Sequence, residues 1–68
     1  MKAQRKYPLM LNLIAARKNK GIAQMELSKR CGLSQSCINL YENGRVSPTV
    51  ATLTKIAKEL ECDVRDLI

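Results

Sequence analysis

The sequence predicts an all-α fold, a compact domain of five short helices, and three observations carry that prediction. Apolar residues recur at three- and four-residue spacing, as in Leu9, Met10, Leu13 and Ala16 and again in Val50, Leu53, Ile56, Ala57 and Leu60. Gly21, Gly32 and Asn43-Gly44 interrupt that periodicity and keep each helix short. No run alternates apolar and polar residues as a half-buried strand does.

The elements follow in order. Residues 1–7, MKAQRKY, carry three basic side chains and no periodicity, and read as a basic N-terminal arm ahead of a domain over 8–68. Pro8 suits the first position of a helix, where its missing N–H is no loss, and the first pattern runs from there to Gly21. A second helix spans 24–31, with Leu27 and Cys31 inward at i, i+4, and stops at Gly32. Ser34 caps a third helix, 35–42, which Asn43-Gly44 closes. The fourth helix has two candidate caps. Pro48 at the first helical position argues for Ser47, and the spacing to the stripe beginning at Val50 argues for Thr49. Asp63 caps a last short turn, with Asp66 three residues on, and Val64, Leu67 and Ile68 face inward.

Composition narrows the class. With 68 residues, 46% hydrophobic and no Phe or Trp, the chain forms one domain around an aliphatic core. Residues 1–46 hold nine Lys/Arg against two acids, whereas residues 47–68 hold three against four. A positive field confined to one part of a small domain suits a polyanionic partner, or is simply a solvated surface. Cys31, Cys37 and Cys62 are odd in number, follow no metal spacing and have no His beside them, so no metal and no cofactor is expected. Cys31 and Cys62 occupy apolar positions, and Cys37 reads as a partly exposed thiol. No leader-like or membrane-spanning apolar run occurs, and the expected location is the reducing cytoplasm. An enzyme is not expected. Phosphodiester hydrolysis needs clustered carboxylates or His, and Glu26 and Glu42 are the only acids in residues 1–46.

The stretch LSQSCINLYENG, residues 33–44, stands out in this basic protein. Leu33, Ile38 and Tyr41 are spaced to face a core, yet Gln35, Ser36 and Asn39 fill the other face without charge. Two short helices joined through CGLS make a helix–turn–helix arrangement, in which Gly32 permits the sharp turn and small Ser28 permits close approach. Such a pair presents its second helix as a rod that fits a B-DNA major groove. Gln, Asn and Ser donate and accept at defined points, as base reading requires, while Lys and Arg serve the phosphates.

From Leu13 to Ile68 the chain resembles the phage-repressor-type helix–turn–helix family, the Cro/C1 or XRE-like DNA-binding domains. The matching residues are Arg17 four before Gly21, then Ile22, Gln24, Leu27, Ser28, Gly32, Leu33 and Ser34. Glu42-Asn43-Gly44 follows, then a pattern over Pro48 to Leu60 and an end carrying Asp63, Asp66, Leu67 and Ile68. The resemblance implies that Gln24 bonds a phosphate through its side chain and helix N-terminus, with Ser34, Asn43 and Arg45 also on the sugar–phosphate backbone. It implies base contacts by Gln35, Ser36 and Asn39, and by Leu40 with a thymine methyl. Ser36 reads equally as a neutral surface serine, and Asn43 as a simple helix end. Arg17 and Glu42 match a salt bridge that ties the first helix to the end of the recognition helix. Lys2, Arg5 and Lys6 reach phosphate or minor groove in one reading and form a solvated arm in the other.

Four positions depart from the family pattern. Ala23 stands where a capping Ser, Thr or Asn is usual, leaving Glu26 as half of a capping box. Cys31 and Cys62 replace aliphatics, and Glu61 replaces a usual Gly. The expected function is sequence-specific binding of double-stranded DNA by a transcriptional regulator, a repressor, through a palindromic operator and a homodimer weak in solution. The competing reading is a protein-interaction module of the same fold, antitoxin-like or accessory, with little direct DNA binding.

Overall fold

A computed structural model describes residues 6–68. The helices are α1 (Leu11–Asn19), α2 (Gln24–Cys31), α3 (Gln35–Glu42) and α4 (Val50–Glu59), followed by a 3-10 turn at Val64–Asp66. Among the described residues the fold is all-α, with four α-helices and one 3-10 turn in place of the five helices the sequence predicts. Only three residues lie between the Asp63 cap and Leu67, too few for an i→i+4 ladder. Asp63 Oδ1 accepts from Arg65 N–H at 2.9 Å, and Asp66 Oδ2 accepts from Asp63 N–H at 3.1 Å.

The first helix begins at Leu11 and not at Pro8. The segment before it is held elsewhere: Tyr7 N–H donates to Gly44 O at 2.8 Å and Met10 N–H to Glu42 O at 3.2 Å. Residues 7–10 form a strap over the end of α3, held there by these two bonds. Lys2 and Arg5 lie outside the described residues, and Lys6 is exposed. At α4 the open choice of cap resolves to Thr49, whose Oγ1 accepts from Thr52 N–H at 3.2 Å.

All four helices end in one kind of turn, in which the residue after a left-handed position donates back to a carbonyl five earlier. The pairs are Ile22 to Arg17, Leu33 to Ser28, Arg45 to Leu40 and Cys62 to Ala57. Glycine holds the left-handed position three times, and Glu61, at φ 56°, holds the fourth.

Leu13, Leu27, Cys31, Ile38, Tyr41, Leu53, Ile56, Ala57, Leu60 and Leu67 form the core. Burial of each large aliphatic side chain contributes about 1.5–3 kcal/mol, offset largely by chain entropy. α2 packs on both α3 and α4, and α1 on α3 and the 3-10 turn. Some expected inward residues are not inward. Val50 is 77% exposed because it opens α4 ahead of the packed turns, and Ile68 is 69% exposed because only Leu67 fits beneath α1. Leu9 is also exposed, while Met10, Val64 and Cys62 are partly buried against the core. No described helix is long and apolar enough to cross a membrane.

Candidate nucleic-acid interface

The turn between α2 and α3 is set by two small residues. Gly32 takes φ 69°, and Leu33 N–H then returns to Ser28 O at 2.8 Å. Ser28 is buried and its Oγ donates to Met25 O at 2.7 Å, so its hydroxyl is satisfied where the helices approach. Ser34 caps α3, its Oγ accepting from Cys37 N–H at 3.1 Å. That leaves the Ser34 hydroxyl proton free to donate outward. Ala23 provides no side-chain cap to α2. Glu26 does not complete half a box either, because Arg30 Nε holds its carboxylate at 3.1 Å on the next turn.

α3 divides cleanly into two faces. Ile38, Tyr41 and Glu42 are buried, whereas Gln35, Ser36, Asn39 and Leu40 are exposed. Those four and Gln24 of α2 line one shallow depression, and none of the five side chains carries a charge. Cys37 is half-buried at the inner edge of α3. Hydrogen bonding with it, and then burial, pushes the Tyr41 hydroxyl above its ordinary pKa.

Beneath the depression lies an ion pair. Arg17 Nε donates to Glu42 Oε2 at 2.6 Å and Nη2 to Oε1 at 3.2 Å, and Nη1 donates to Ile22 O at 2.9 Å. The two side chains are only 11% and 4% exposed. One guanidinium thus joins α1, the entry to α2 and, through a bidentate contact, the end of α3. Gln24 Nε2 also donates to Glu42 Oε1, at 2.8 Å.

Gln24, Asn39 and Asn43, separate contacts in the sequence, are linked in the structure. Asn39 Nδ2 donates to Gln24 Oε1 at 3.4 Å, and Asn43 Nδ2 donates to Asn39 Oδ1 at 3.1 Å and to Asn39 O at 2.9 Å. The i, i+4 spacing of Asn39 and Asn43 was the one available signal. Asn43 also ends α3, so its helix-end role is present in the fold. Arg45 follows on the surface, and with Lys18 and Lys29 it is exposed and enters no ion pair among the described residues. Arg17, Lys20, Arg30 and Arg65 are paired with acids.

The helix–turn–helix family profile matches residues 13–67. An uncharacterised HTH-type transcriptional regulator of Sinorhizobium fredii, y4dJ, is 41% identical over 49 residues, covering 72% of this chain and 64% of that protein. The ImmF control region 10 kDa protein of Bacillus phage phi105 is 37% identical over 51 residues, covering 75% of this chain and 57% of the phage protein. The chain thus covers less than two thirds of the length of these relatives. Among solved structures, the restriction-modification controller protein C.AhdI of Aeromonas hydrophila superposes with a TM-score of 0.80 at 28% identity, over 84% of this chain and 83% of the controller.

Proposed function

Because the chain belongs to the helix–turn–helix family, we propose that it binds double-stranded DNA sequence-specifically and regulates transcription as a repressor. One observation carries the reading: side chains from two helices form a single exposed, uncharged, hydrogen-bonding depression on a domain of net charge +6. α3 enters the major groove. Gln35, Ser36 and Asn39 meet base edges, and Leu40 meets a thymine methyl. Gln24, Ser34, Asn43 and Arg45 hold phosphates, and the Arg17–Glu42 pair fixes the angle of α3. No cofactor or catalytic step enters this reading.

The operator is palindromic, with half-sites about one helical turn apart, and is bound by two copies of the chain. Leu9, Leu11, Val46 and Ile68 border one apolar groove on the protein surface and are exposed, which supports a weak self-association there. Three free thiols suit the cytoplasm.

Selection of bound duplexes from a random pool tests the reading, followed by competition titrations at several salt concentrations. Gln35→Ala is expected to cost about 1–3 kcal/mol and relax one base pair, whereas Arg45→Ala weakens all sequences alike and flattens the salt slope by about one unit. Equal loss on specific and random DNA for Gln35→Ala would remove its base-reading role. No enrichment from the pool would favour the protein-interaction module instead.

A further inference from the structure

A side-chain amide can sit either way round, and only its partners decide which end presents N–H. In this protein that choice begins in the interior. The nearly buried Glu42 carboxylate is an acceptor only, so Gln24 turns Nε2 toward it and Oε1 away. Gln24 Oε1 in turn takes a proton from Asn39 Nδ2, which swings Asn39 Oδ1 toward Asn43 Nδ2. All three bonds point the same way, inward to the carboxylate.

We propose that this amide relay is a specificity device: Glu42, acting through Gln24 and Asn43, fixes the polarity of Asn39 so that it offers N–H to the DNA and reads a base acceptor. The matching groups are a purine N7, guanine O6 or thymine O4, and the excluded one is the cytosine amino group. Of the two Asn39 Nδ2 hydrogens, one is spent on Gln24 and the other has no partner among the described residues, on a side chain that lines the depression. An adenine clasp, which needs the amide oxygen too, competes with Asn43 for it. Gln24 and Asn43 are therefore positioning residues as well as neighbours of phosphate. The inference rests on the DNA-binding reading above.

The test is bound-site selection from a random duplex pool, with wild type, Asn39→Ala, Gln24→Leu and Asn43→Ser run in parallel. Asn39→Ala locates the base pair that Asn39 reads. Gln24→Leu keeps side-chain volume but frees Asn39 to turn over, so preference at that one pair is expected to fall by about tenfold, the worth of one good hydrogen bond. Loss of a phosphate contact alone weakens all sequences alike and leaves that preference untouched. Asn43→Ser frees the amide from its outer side and is expected to relax the same pair. Side-chain NH₂ signals in NMR spectra of the free protein give a readout without DNA: those of Asn39 are expected to shift and exchange faster in Gln24→Leu. Unchanged Asn39 signals in a folded Gln24→Leu, or an unchanged preference at the Asn39 pair in both positioning variants, would overturn the relay. Failure of the wild type itself to enrich any sequence overturns the DNA-binding reading, and is seen separately.

Discussion

At the ends of α3 and α4 the chain makes the same left-handed turn close to an acid that pairs with a basic residue in or just after α1, yet different physics holds each end. After α3, Gly44 sits at φ 72° and Arg45 N–H returns to Leu40 O at 3.0 Å. After α4, Glu61 sits at φ 56° and Cys62 N–H returns to Ala57 O, also at 3.0 Å. A Cβ on Gly44 would lie 2.2 Å from Tyr7 O and 2.7 Å from Pro8 O, because the strap crosses directly over it. At Glu61 a side chain is present in open solvent. The acids contrast in the same sense. Glu42 is buried with Arg17, while Glu61 meets Lys20 at the surface. Identical local backbone therefore tolerates different residues, and the neighbouring chain decides which.

The largest effect is expected at the buried pair. Glu42→Met strands the Arg17 guanidinium, and Arg17→Met strands the carboxylate, each at a cost of about 3–5 kcal/mol. The double change is expected to cost less than the sum, and urea melts of the singles and the double measure the coupling. Simple additivity would take the pair out of the account.

Glycine substitutions are expected to separate the positions by a smaller amount. Gly32→Ala bears only the left-handed penalty, about 1–2 kcal/mol, since its added Cβ meets nothing within 4 Å. Gly44→Ala bears that penalty and must also displace the Tyr7 and Pro8 carbonyls. Thermal melts are expected to rank Gly44→Ala well below Gly32→Ala, and equal losses would show that the strap yields freely.

At the α4 end the expected changes are small and opposite in sign. Glu61→Gly relieves a strained backbone and gives up only an exposed ion pair, so the melting temperature is expected to rise by about 2–6 °C. A fall would mean that Lys20 holds this end more firmly than its exposure suggests.

The smallest effect is on pH. Hydrogen bonding and charge from Lys20 hold the Glu61 carboxyl below its usual value, and the Arg65 N–H does the same for Asp63. A depressed folded-state pKa stabilises above the unfolded value and loses that contribution as pH falls through the folded one. Acid melts below about pH 4.3 are therefore expected to show a slightly shallower decline for Glu61→Gln than for the wild type.

α2 and α3 were legible to the residue in the chain, because Gly32 and Ser34 act locally: one supplies a left-handed turn and the other an oxygen for an N–H three residues on. The gathering of Gln35, Ser36, Asn39 and Leu40 on one face follows from helical periodicity in the same way. The start of α1 was not legible. Pro8 favours a helix locally, but the bonds from Tyr7 and Met10 to carbonyls more than thirty residues away, at Gly44 and Glu42, lay this segment across the end of α3.

By itself, the sequence determined the helix periods, the turns and the uncharged outer face of α3, since these depend on residues within a few positions of one another. Only the tertiary structure decided the strap over Gly44, the exposure of Val50 and Ile68, and the polarity of the amides above Glu42. Each of those depends on which distant carbonyl, carboxylate or apolar surface arrives alongside, and a hydrogen-bonding group takes its orientation from whatever partner burial leaves it.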